Sequence, residues 1–299
     1  MSFTYTAPAP GQLGVQVTDF DINLATNEDF AELKKAIYAN RVVVLKNQAA
    51  MTPTEFVALG NGTGTIVPYY EPMYHHPEHE EIFVSSTVQL EGKKMGVPKT
   101  GKFWHSDYQF KKQPFAFTIF FPQVLPEGNR GTFFIDMAQA FQSLPAELRS
   151  AARKVTASHS VRRFFKIRPS DIYRPLGEII KEVEQVSPPA VHNAVVTHPV
   201  TGEEFLYLSE GFTDQLDGEG TSSHRNLLHD LLEESGQLDP EFTHPNILCH
   251  SYELGDIVLW DNRVLTHRAL HVSGNGASAS YRITVTDDLP FDAAAGSLA

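Results

Sequence analysis

The most informative part of the sequence reads Gly101-Lys102-Phe103-Trp104-His105-Ser106-Asp107-Tyr108. It places an imidazole and a carboxylate two residues apart in an aromatic setting. In an extended strand, residues i and i+2 point to the same side, so His105 and Asp107 can converge there on one ion. Two such ligands still need a third from elsewhere in the chain.

A distant stretch offers that third ligand and reads Trp260-Asp261-Asn262-Arg263-Val264-Leu265-Thr266-His267. Two histidines and one carboxylate with open coordination positions form the facial triad of non-haem Fe(II) oxygenases. The sequence therefore predicts an iron site made by His105, Asp107 and His267. The alternative for an isolated His-x-Asp, in a chain with 13 histidines, is a surface strand with polar side chains.

Composition narrows the classes of partner. The chain has 299 residues, of which 41% are hydrophobic and 20% charged, and this is ordinary for a globular protein with a sizeable core. We predict one decorated domain over residues 1–299. A formal net charge of -12 argues against nucleic acid and anionic lipid as partners. Small molecules are the expected partners, and a homo-oligomer is left open.

Targeting signals and cysteines give two further expectations. The first residues have no basic and apolar leader pattern, and no later run reaches the roughly 18 apolar residues of a membrane span, so we expect a cytoplasmic protein. Cys249 is the only cysteine, which excludes a thiolate zinc site and an intrachain disulfide. Any metal must be held by nitrogen and oxygen.

Element patterns predict a mainly β protein with helical decoration, arranged as a β-sandwich or jelly roll. Capping pairs predict helices that start after Thr26 and Thr52, with Asp29 and Glu55 closing the caps. Further helices are expected over residues 138–154, interrupted by Pro145, and 222–236. Strands are expected over residues 13–19, 41–45, 82–87, 115–121, 132–135, 191–196, 205–208, 247–252, 257–260 and 281–286.

Three segments stand apart from this pattern. Prolines among tyrosines predict an ordered loop or lid over residues 67–80, without regular structure. An insert is expected over about residues 155–245, within which residues 155–190 give no clear element. The small, polar residues 290–299 are expected to fray.

Two further residues fit the iron hypothesis. Arg282 stands in a predicted strand fifteen residues after His267, and Thr132 follows Gly131. An oxygenase that uses 2-oxoglutarate needs a guanidinium for the distal carboxylate of this cosubstrate, because the planar fork pairs bidentately with oxygens. A hydroxyl beside it supplies a further hydrogen bond.

Taken together, these motifs resemble the taurine-dioxygenase-like (TauD/TfdA) branch of the Fe(II)/2-oxoglutarate oxygenases, in order and in spacing, from the first strand to Asp288. The resemblance implies a double-stranded β-helix fold that is jelly-roll and cupin-like. It implies that His105, Asp107 and His267 are the iron ligands and catalytic centre. It also implies that Thr132 and Arg282 bind 2-oxoglutarate, with O2 as the other cosubstrate.

A narrower resemblance rests on residues 67–76, on Lys166-Ile167-Arg168-Pro169-Ser170-Asp171 and on Tyr173-Arg174-Pro175. These look like the isonitrile-forming members of the branch. Such enzymes convert the N-carboxymethyl group of a (3R)-3-[(carboxymethyl)amino] fatty acid to an isonitrile with decarboxylation, in isonitrile lipopeptide biosynthesis. This substrate has two carboxylates and one amine. The residues that the resemblance assigns to its pocket are Tyr69, Tyr70, Tyr74, Tyr108, Lys166 and His271, with Arg130 as a candidate for the second carboxylate.

Each assignment has an alternative. The tyrosines can fix their loop by packing, and Lys166 lies in a basic run that is mostly a solvated face. Thr132 can be an ordinary strand residue, and Arg282 can pair with Asp287 or Asp288. His75, His76 and His79 are expected to be surface histidines. At the level of function, the alternatives are an ordinary hydroxylase of a small amino acid, sulfonate or aryloxy acid, and a non-catalytic sensor of metal and keto acid.

Overall fold

The computed structural model describes residues 3–7, 13–90, 93–94, 96–127, 130–165, 167–218, 224–270 and 276–292. The chain folds into two compact units. The first unit consists of Met1–Lys102, Phe115–Phe134 and Leu248–Leu289, and the second consists of Phe103–Pro114, Ile135–Ile247 and Pro290–Ala299. The single decorated domain over residues 1–299 stays a prediction.

Six α-helices lie in the described part of the chain, and none of them is both long and apolar enough to cross a membrane. Their bounds are α1 Asn27–Asn40, α2 Pro53–Thr63, α3 Met137–Ser143, α4 Ala146–Ala152, α5 Leu176–Val186 and α6 His224–Glu234. Short 3-10 turns lie at Pro72–Tyr74, Val161–Arg163 and Pro169–Asp171.

Strands outnumber helices in the described residues. Their bounds are β1 Tyr5–Thr6, β2 Val15–Val17, β3 Val42–Leu45, β4 Thr65–Ile66, β5 Phe83–Ser86, β6 Gln89–Leu90, β7 Lys93–Lys94, β8 Phe117–Val124, β9 Gly131–Asp136, β10 Val155–His159, β11 Ala190–Asn193, β12 Val195–Thr197, β13 Glu204–Leu206, β14 Thr213–Gly218, β15 Ile247–Ser251, β16 Ile257–Asp261, β17 Leu265–Leu270 and β18 Ala279–Thr286.

The first unit is built on a large sheet with the strand order β1-β2-β3-β16-β8-β18-β4, in which β5 also pairs with β18. Neighbouring strands are antiparallel except for β2 and β3. A three-stranded sheet in the order β15-β9-β17 has most of its residues in the same unit. A large and a small sheet of mostly antiparallel strands agree with the predicted jelly roll.

The outer face of the large sheet is covered by α1 and α2. Successive side chains of a strand point to opposite faces, so alternate residues of the central strands belong to one layer. The outer layer and the apolar faces of the two helices form one buried cluster. The helices contribute Leu33, Ile37, Phe56 and Leu59, and the strands contribute Val43, Leu45, Ile119, Phe121, Ile257, Leu259, Ile283 and Val285.

The inner face of the same sheet carries the other set of alternate residues. Phe120 on β8 lies opposite Arg282 on β18 in the strand register. Towards the small sheet, Trp260 meets Phe134 with a ring-centroid distance of 5.5 Å, and Phe120 stacks on Tyr252 at 4.8 Å. The space between the sheets is therefore aromatic, with Arg282 on its wall.

Local sequence signals placed the early helices correctly. Thr26 with Asp29 and Thr52 with Glu55 form reciprocal capping boxes, in which each side chain bonds the other residue's backbone N–H. The predicted break at Pro145 separates α3 from α4. Gly60 lies inside α2, and Gly64 caps its end.

The second unit contains the sheet β11-β10-β14, the hairpin β12-β13 and the helices α3 to α6. Strands near β12 and β13 and the helix α6 were predicted, whereas β10 and α5 fall in residues 155–190, where no element was assigned. An ion-pair network orders the start of α5, since Arg168 and Arg174 both bind Asp171 and Glu182 at N–O distances of 2.6–3.1 Å. The pairs with Asp171 are local, but those with Glu182 span 14 and 8 residues, and local patterns did not reveal them.

Two expectations about irregular segments are wrong in part. The predicted loop over residues 67–80 contains a 3-10 turn, because Pro72 occupies a first-turn position where a missing N–H costs nothing. The predicted frayed tail starts with ordered residues. Phe291 packs on Tyr207 at 4.5 Å, and Asp292 accepts hydrogen bonds from the Thr197 backbone and the Asn193 side chain. Residues 293–299 lie outside the described part of the chain.

A buried ion pair closes the end of β18. Arg263 binds Asp287 through two N–O contacts of 2.5 and 3.0 Å, and their side chains are 1% and 8% exposed. The Tyr38 hydroxyl also donates to Asp287 at 2.6 Å. We expect Asp287→Ala to lower the free energy of unfolding by about 3–5 kcal/mol, because Arg263 would stay buried without its carboxylate. Denaturant unfolding measures this loss.

The exposed neighbour Asp288 provides the matched control for this prediction, since Asp288→Ala should cost well under about 1 kcal/mol. Burial raises the pKa of Asp287, but the hydrogen bonds and charge of Arg263 outweigh this and leave the pKa below its usual value. The contribution to stability is therefore complete above the unfolded-state pKa of about 3.9 and is lost as the pH falls through the folded-state pKa. Equal losses for both variants would contradict the prediction.

Candidate active site

His105 and Asp107 lie close together, but the predicted extended strand is wrong. His105 makes only an isolated bridge, and a turn begins at Asp107. The cause is Tyr108, whose φ of 58° lies in the left-handed region that side chains other than glycine seldom adopt. The turn still leaves His105 Nε2 3.7 Å from Asp107 Oδ1, and both residues are buried.

The His105 ring has a defined orientation. Its Nδ1 lies 2.8 Å from the Phe103 carbonyl oxygen. A carbonyl only accepts, so Nδ1 carries the proton and Nε2 is the bare nitrogen of the neutral ring. A metal-binding histidine commonly has this arrangement, because the second hydrogen bond fixes the tautomer.

Backbone and aromatic contacts hold the His105 segment within the second unit. The Trp104 N–H donates to a Glu210 carboxylate oxygen at 3.2 Å, and the Gly211 N–H donates to the Trp104 carbonyl at 2.9 Å. A Cβ at position 211 would lie 2.2 Å from the Phe103 ring, so glycine is required for this approach. The segment is thus clamped by residues more than a hundred positions later.

His267 lies on β17 and is buried against aromatic rings. Its ring meets Trp260 edge to face at 5.0 Å and lies 6.2 Å from Phe134. His105 and Asp107 in the second unit and His267 in the first are all buried, and two histidines and a carboxylate are residue types that can hold a metal ion. These are the three residues that the two sequence motifs singled out.

Other histidines are arranged differently. His229, Asp230 and Glu233 also bring ligand atoms together, but they lie on the solvent side of α6, where such groups are common without an ion. His75 Nε2 bonds the Tyr69 carbonyl oxygen at 2.6 Å and so holds the loop. His75, His76 and His79, which were expected at the surface, are each partly buried.

Arg282 lies on the inner face of the large sheet. Its guanidinium carbon is 4.2 Å from the centroid of the Phe83 ring, which is a cation–π contact. Asp287, the alternative partner considered for Arg282, is instead bound by Arg263. The role of Arg282 in binding 2-oxoglutarate stays a prediction.

Thr132 lies on β9, and its hydroxyl is hydrogen-bonded to the Tyr252 hydroxyl. The strands β9 and β15 approach each other closely here. A Cβ at position 131 would lie only 2.1 Å from the His250 carbonyl oxygen. This explains the glycine in the Gly131-Thr132 pair. Tyr252 was not predicted as a site residue, since no local pattern connects it with Thr132, 120 residues earlier.

The tyrosines of the predicted lid form one aromatic cluster. Tyr69 contacts Tyr70 at 4.6 Å and Tyr74 at 4.7 Å, and Tyr74 stacks on Phe83 at 4.7 Å. The Arg282 guanidinium lies over the Phe83 ring, so the aromatic cluster extends to Arg282. Burial raises the pKa of Tyr74 to about 12, which keeps its hydroxyl protonated at neutral pH.

The remaining predicted pocket residues have separate positions. Tyr108 is buried in the second unit, with the Lys111 ammonium 4.8 Å above its ring. Burial lowers the pKa of Lys111, a cation that no sequence motif singled out. Arg130 directly precedes β9, and its Nη1 is buried with no hydrogen-bond partner among the described residues. Lys166 and His271 lie outside the described part of the chain.

Residues 5–283 match the family described as taurine catabolism dioxygenase TauD, TfdA family. The chain belongs to the TauD/TfdA family. A pentalenolactone F synthase from Streptomyces arenae is 26% identical over 242 residues, which cover 79% of both chains. An alpha-ketoglutarate-dependent 2,4-dichlorophenoxyacetate dioxygenase from Cupriavidus pinatubonensis is 25% identical over 285 residues, which cover 91% of this chain and 94% of the relative.

Solved structures confirm the fold of this TauD/TfdA chain. AAD-2 in complex with Mn(II) and N-oxalylglycine has a TM-score of 0.74 at 23% identity, covering 97% of this chain and 100% of that one. A putative alpha-ketoglutarate-dependent taurine dioxygenase from Burkholderia xenovorans has a TM-score of 0.73 at 23% identity, with 97% and 91% covered. The predicted mainly β jelly roll with helical decoration is thereby confirmed.

Family membership also confirms the predicted cofactors, because TauD/TfdA enzymes are dioxygenases that use Fe(II), 2-oxoglutarate and O2. The residues of this chain fit such an ion. Two ligands, each about 2.1 Å from one ion, can be at most about 4.2 Å apart. His105 Nε2 and Asp107 Oδ1, at 3.7 Å, satisfy that limit, and the hydrogen bond from Nδ1 to the Phe103 carbonyl makes Nε2 the ligand atom of the neutral ring.

The close approach of β9 and β15 is open to a direct test. We expect Gly131→Ala to lower the free energy of unfolding by about 1–3 kcal/mol, because the new methyl group collides with backbone that cannot move aside. Thermal unfolding measures the change. Gly177→Ala is the matched control: nothing lies within 4 Å of a Cβ there, and it should be neutral or slightly stabilising in α5. Unchanged stability in the position 131 variant would contradict the strand geometry.

Proposed function

We propose that this TauD/TfdA dioxygenase converts the N-carboxymethyl group of a (3R)-3-[(carboxymethyl)amino] fatty acid to an isonitrile with oxidative decarboxylation, in isonitrile lipopeptide biosynthesis. The observation that carries the proposal is the aromatic lid, Tyr69-Tyr70 with Tyr74, whose sequence resembles the isonitrile-forming branch. Its cluster adjoins the Arg282 guanidinium through Phe83. We further propose that the enzyme acts in the cytoplasm on the small molecule.

In this proposal His105, Asp107 and His267 hold Fe(II), which supplies the activation of O2 and of the keto acid when bound. Their side chains supply two imidazoles and one carboxylate, and the Phe103 carbonyl fixes the His105 tautomer. Burial of the three side chains removes water from competition for the ion. The protein thereby holds the reacting groups in one place and excludes solvent.

Arg282 and Thr132 are proposed to bind 2-oxoglutarate. Arg282 lies in the β18 strand, whose alternate residues Ile283 and Val285 are anchored in the outer core. A guanidinium on a strand fixed in this way offers a carboxylate two parallel donors in a rigid geometry. The Thr132 hydroxyl adds a donor from the small sheet.

Tyr69, Tyr70, Tyr74 and Tyr108 are proposed to contact the substrate, with Lys166 and His271 as further pocket residues. Phenol rings combine apolar contact for an acyl chain with a donor for a carboxylate. Lys166 supplies a cation for one carboxylate, and Arg130 supplies one for the other. Arg168 and Arg174, which are in the same sequence motifs, are neutralised by Asp171 and Glu182 and serve the fold instead.

The electron balance fixes the number of cosubstrates. Conversion of R–NH–CH2–COOH to R–NC and CO2 releases four protons and four electrons. Each molecule of 2-oxoglutarate with one O2 removes two electrons and two protons from the substrate, and gives succinate, CO2 and water. One isonitrile therefore requires two 2-oxoglutarate and two O2, and yields two succinate, three CO2 and two water molecules.

A second function is favoured by the relatives. A putative alpha-ketoglutarate-dependent sulfonate dioxygenase from Schizosaccharomyces pombe is 28% identical over 282 residues, which cover 91% of this chain and 67% of the relative. Together with the 2,4-dichlorophenoxyacetate enzyme, it favours an ordinary hydroxylase of a small amino acid, sulfonate or aryloxy acid. Such a reaction uses one 2-oxoglutarate per product and retains every carbon of the substrate.

The iron ligands can be tested one at a time. We expect His105→Ala and Asp107→Ala each to reduce Fe(II)- and substrate-dependent succinate formation by at least about a hundredfold, because two remaining ligands hold the ion poorly. Binding of Mn(II), followed by electron paramagnetic resonance, should weaken in parallel. His229→Ala, in the exposed cluster on α6, is the matched control and should keep both properties. Full activity in the Asp107 variant would refute the triad.

The reaction itself is tested by mass spectrometry. The enzyme is incubated aerobically with Fe(II), ascorbate, 2-oxoglutarate and a synthetic (3R)-3-[(carboxymethyl)amino] fatty acid whose N-methylene carbon is labelled with ¹³C. We expect an isonitrile that retains the label and two succinate molecules per product. The unlabelled 3-amino fatty acid, which lacks the carboxymethyl group, is the matched control and should give neither.

Other outcomes of this assay separate the remaining functions. A product that gains one oxygen and keeps its carboxyl carbon, with one succinate, would establish an ordinary hydroxylase. No substrate-dependent succinate from this compound or from amino acid, sulfonate and aryloxy acid panels would favour the sensor of metal and keto acid. Either outcome would refute isonitrile formation.

A further inference from the structure

Tyr252 is a buried residue that no sequence motif marks as functional. It directly follows β15, is 8% exposed, and its hydroxyl is hydrogen-bonded to the Thr132 hydroxyl. We propose that Tyr252 is a positioning residue that, with Thr132 and Arg130, forms one carboxylate-binding site. The proposal deepens the function proposed above, since it rests on the role of Thr132 as a carboxylate donor.

A count of protons shows what Tyr252 would do. Each hydroxyl carries one proton, and an ionised carboxylate only accepts. When Thr132 donates its proton to a carboxylate, the bond between the two hydroxyls must be donated by Tyr252. Tyr252 thereby fixes both the direction of the Thr132 proton and the position of Thr132 Oγ1.

Tyr252 is suited to this role because it is protonated and rigid. Burial raises the pKa of its hydroxyl, so the hydroxyl keeps its proton throughout the neutral range. Its ring stacks on Phe120 at 4.8 Å with an interplanar angle of 24°. Its backbone N–H donates to the Arg130 carbonyl oxygen at 3.1 Å, so main chain and ring are both held.

Arg130 supplies the charge that makes this cluster attractive to an anion. Its Nη1 is buried and has no hydrogen-bond partner among the described residues, and burial lowers the pKa of the guanidinium. A buried donor without a partner costs free energy, which an incoming carboxylate would recover. Arg130 and Thr132 are two residues apart and flank Gly131, which holds this stretch against β15.

The carboxylate has two sources. Phe120 lies opposite Arg282 in the register of β8 and β18, which favours a carboxylate of 2-oxoglutarate beside Arg282. The other source is the second carboxylate of the amino acid substrate. Both have the same chemistry, so the experiment contains one arm for each.

Binding is measured by isothermal titration calorimetry on Mn(II)-loaded protein, in which no turnover occurs. One arm titrates 2-oxoglutarate, and the other titrates the (carboxymethyl)amino acid into protein saturated with 2-oxoglutarate. We expect Tyr252→Phe to weaken one of these affinities by about tenfold, because a hydrogen bond to a charged group is weakened. Thr132→Val should weaken the same affinity by at least as much.

A double-mutant cycle identifies the route of the effect. Because Tyr252 acts through Thr132, the double variant Tyr252→Phe/Thr132→Val should bind no more weakly than Thr132→Val alone. Thr132→Ser keeps the hydroxyl and should restore sensitivity to Tyr252→Phe. Tyr281→Phe is the matched control, since it removes a tyrosine hydroxyl from β18 on the face opposite Arg282, and both affinities should be unchanged.

The outcomes decide the proposal independently of isonitrile formation, because no reaction is followed. Loss of 2-oxoglutarate affinity assigns the site to the cosubstrate, and loss of substrate affinity assigns it to the substrate. Additive losses in the cycle, or unchanged affinities in both arms, would overturn the proposal. If Tyr252→Phe does not fold by circular dichroism, Arg130→Met tests the same site, and an unchanged affinity in both arms for that variant would overturn it.

Discussion

The strict alternation of the central strands is the constraint on which the first unit depends. Every residue of β3 and β16 is buried, so each face of these strands has its own apolar layer. One layer packs on α1 and α2, and a shift of register by one residue would exchange the two layers. Ile283 and Val285 fix β18 in the outer layer, and Arg282 beside them in the strand must face inward. The packing of the core thus sets the position of Arg282.

The sequence was most informative where the responsible contacts are local or the chemistry is rare. The two residues of a capping box lie within four positions of each other, so Thr26 and Thr52 identified the starts of their helices directly. His267 is far from His105 and Asp107 in sequence, yet the ligand types and their aromatic neighbours were specific enough to predict one site. The resemblance to one family supplied the order of these motifs, and the family match confirms that resemblance at the level of TauD/TfdA.

What the sequence could not reveal depends on partners brought together by the fold. The left-handed conformation of Tyr108 turns the chain where alternation alone predicted a strand. Residues 155–190 gave no clear element. Arg168 and Arg174 bind the neighbouring Asp171, but Arg168 also binds the more distant Glu182, and a contact of that kind leaves no local pattern. Tyr252 had no local signal at all. Its relation to Thr132 exists only because β15 pairs with β9, and a strand pairing between distant segments leaves no pattern in either segment alone.

Charge distribution explains how an acidic chain could bind the proposed substrate, which has two carboxylates. A formal net charge of -12 disfavours anions in general, but screening limits that effect to about 8–10 Å at physiological salt. Inside the fold, nearby cations influence anion binding more than the net charge does, and these cations differ in their surroundings. Arg168, Arg174 and Arg263 are bound by carboxylates of the chain, so they contribute little attraction. In the proposed function, Arg282, which lies over an aromatic ring, and Arg130, which has a buried donor, bind the incoming anions. Selectivity for carboxylates would therefore follow from where the fold positions these two guanidinium groups, rather than from the total charge.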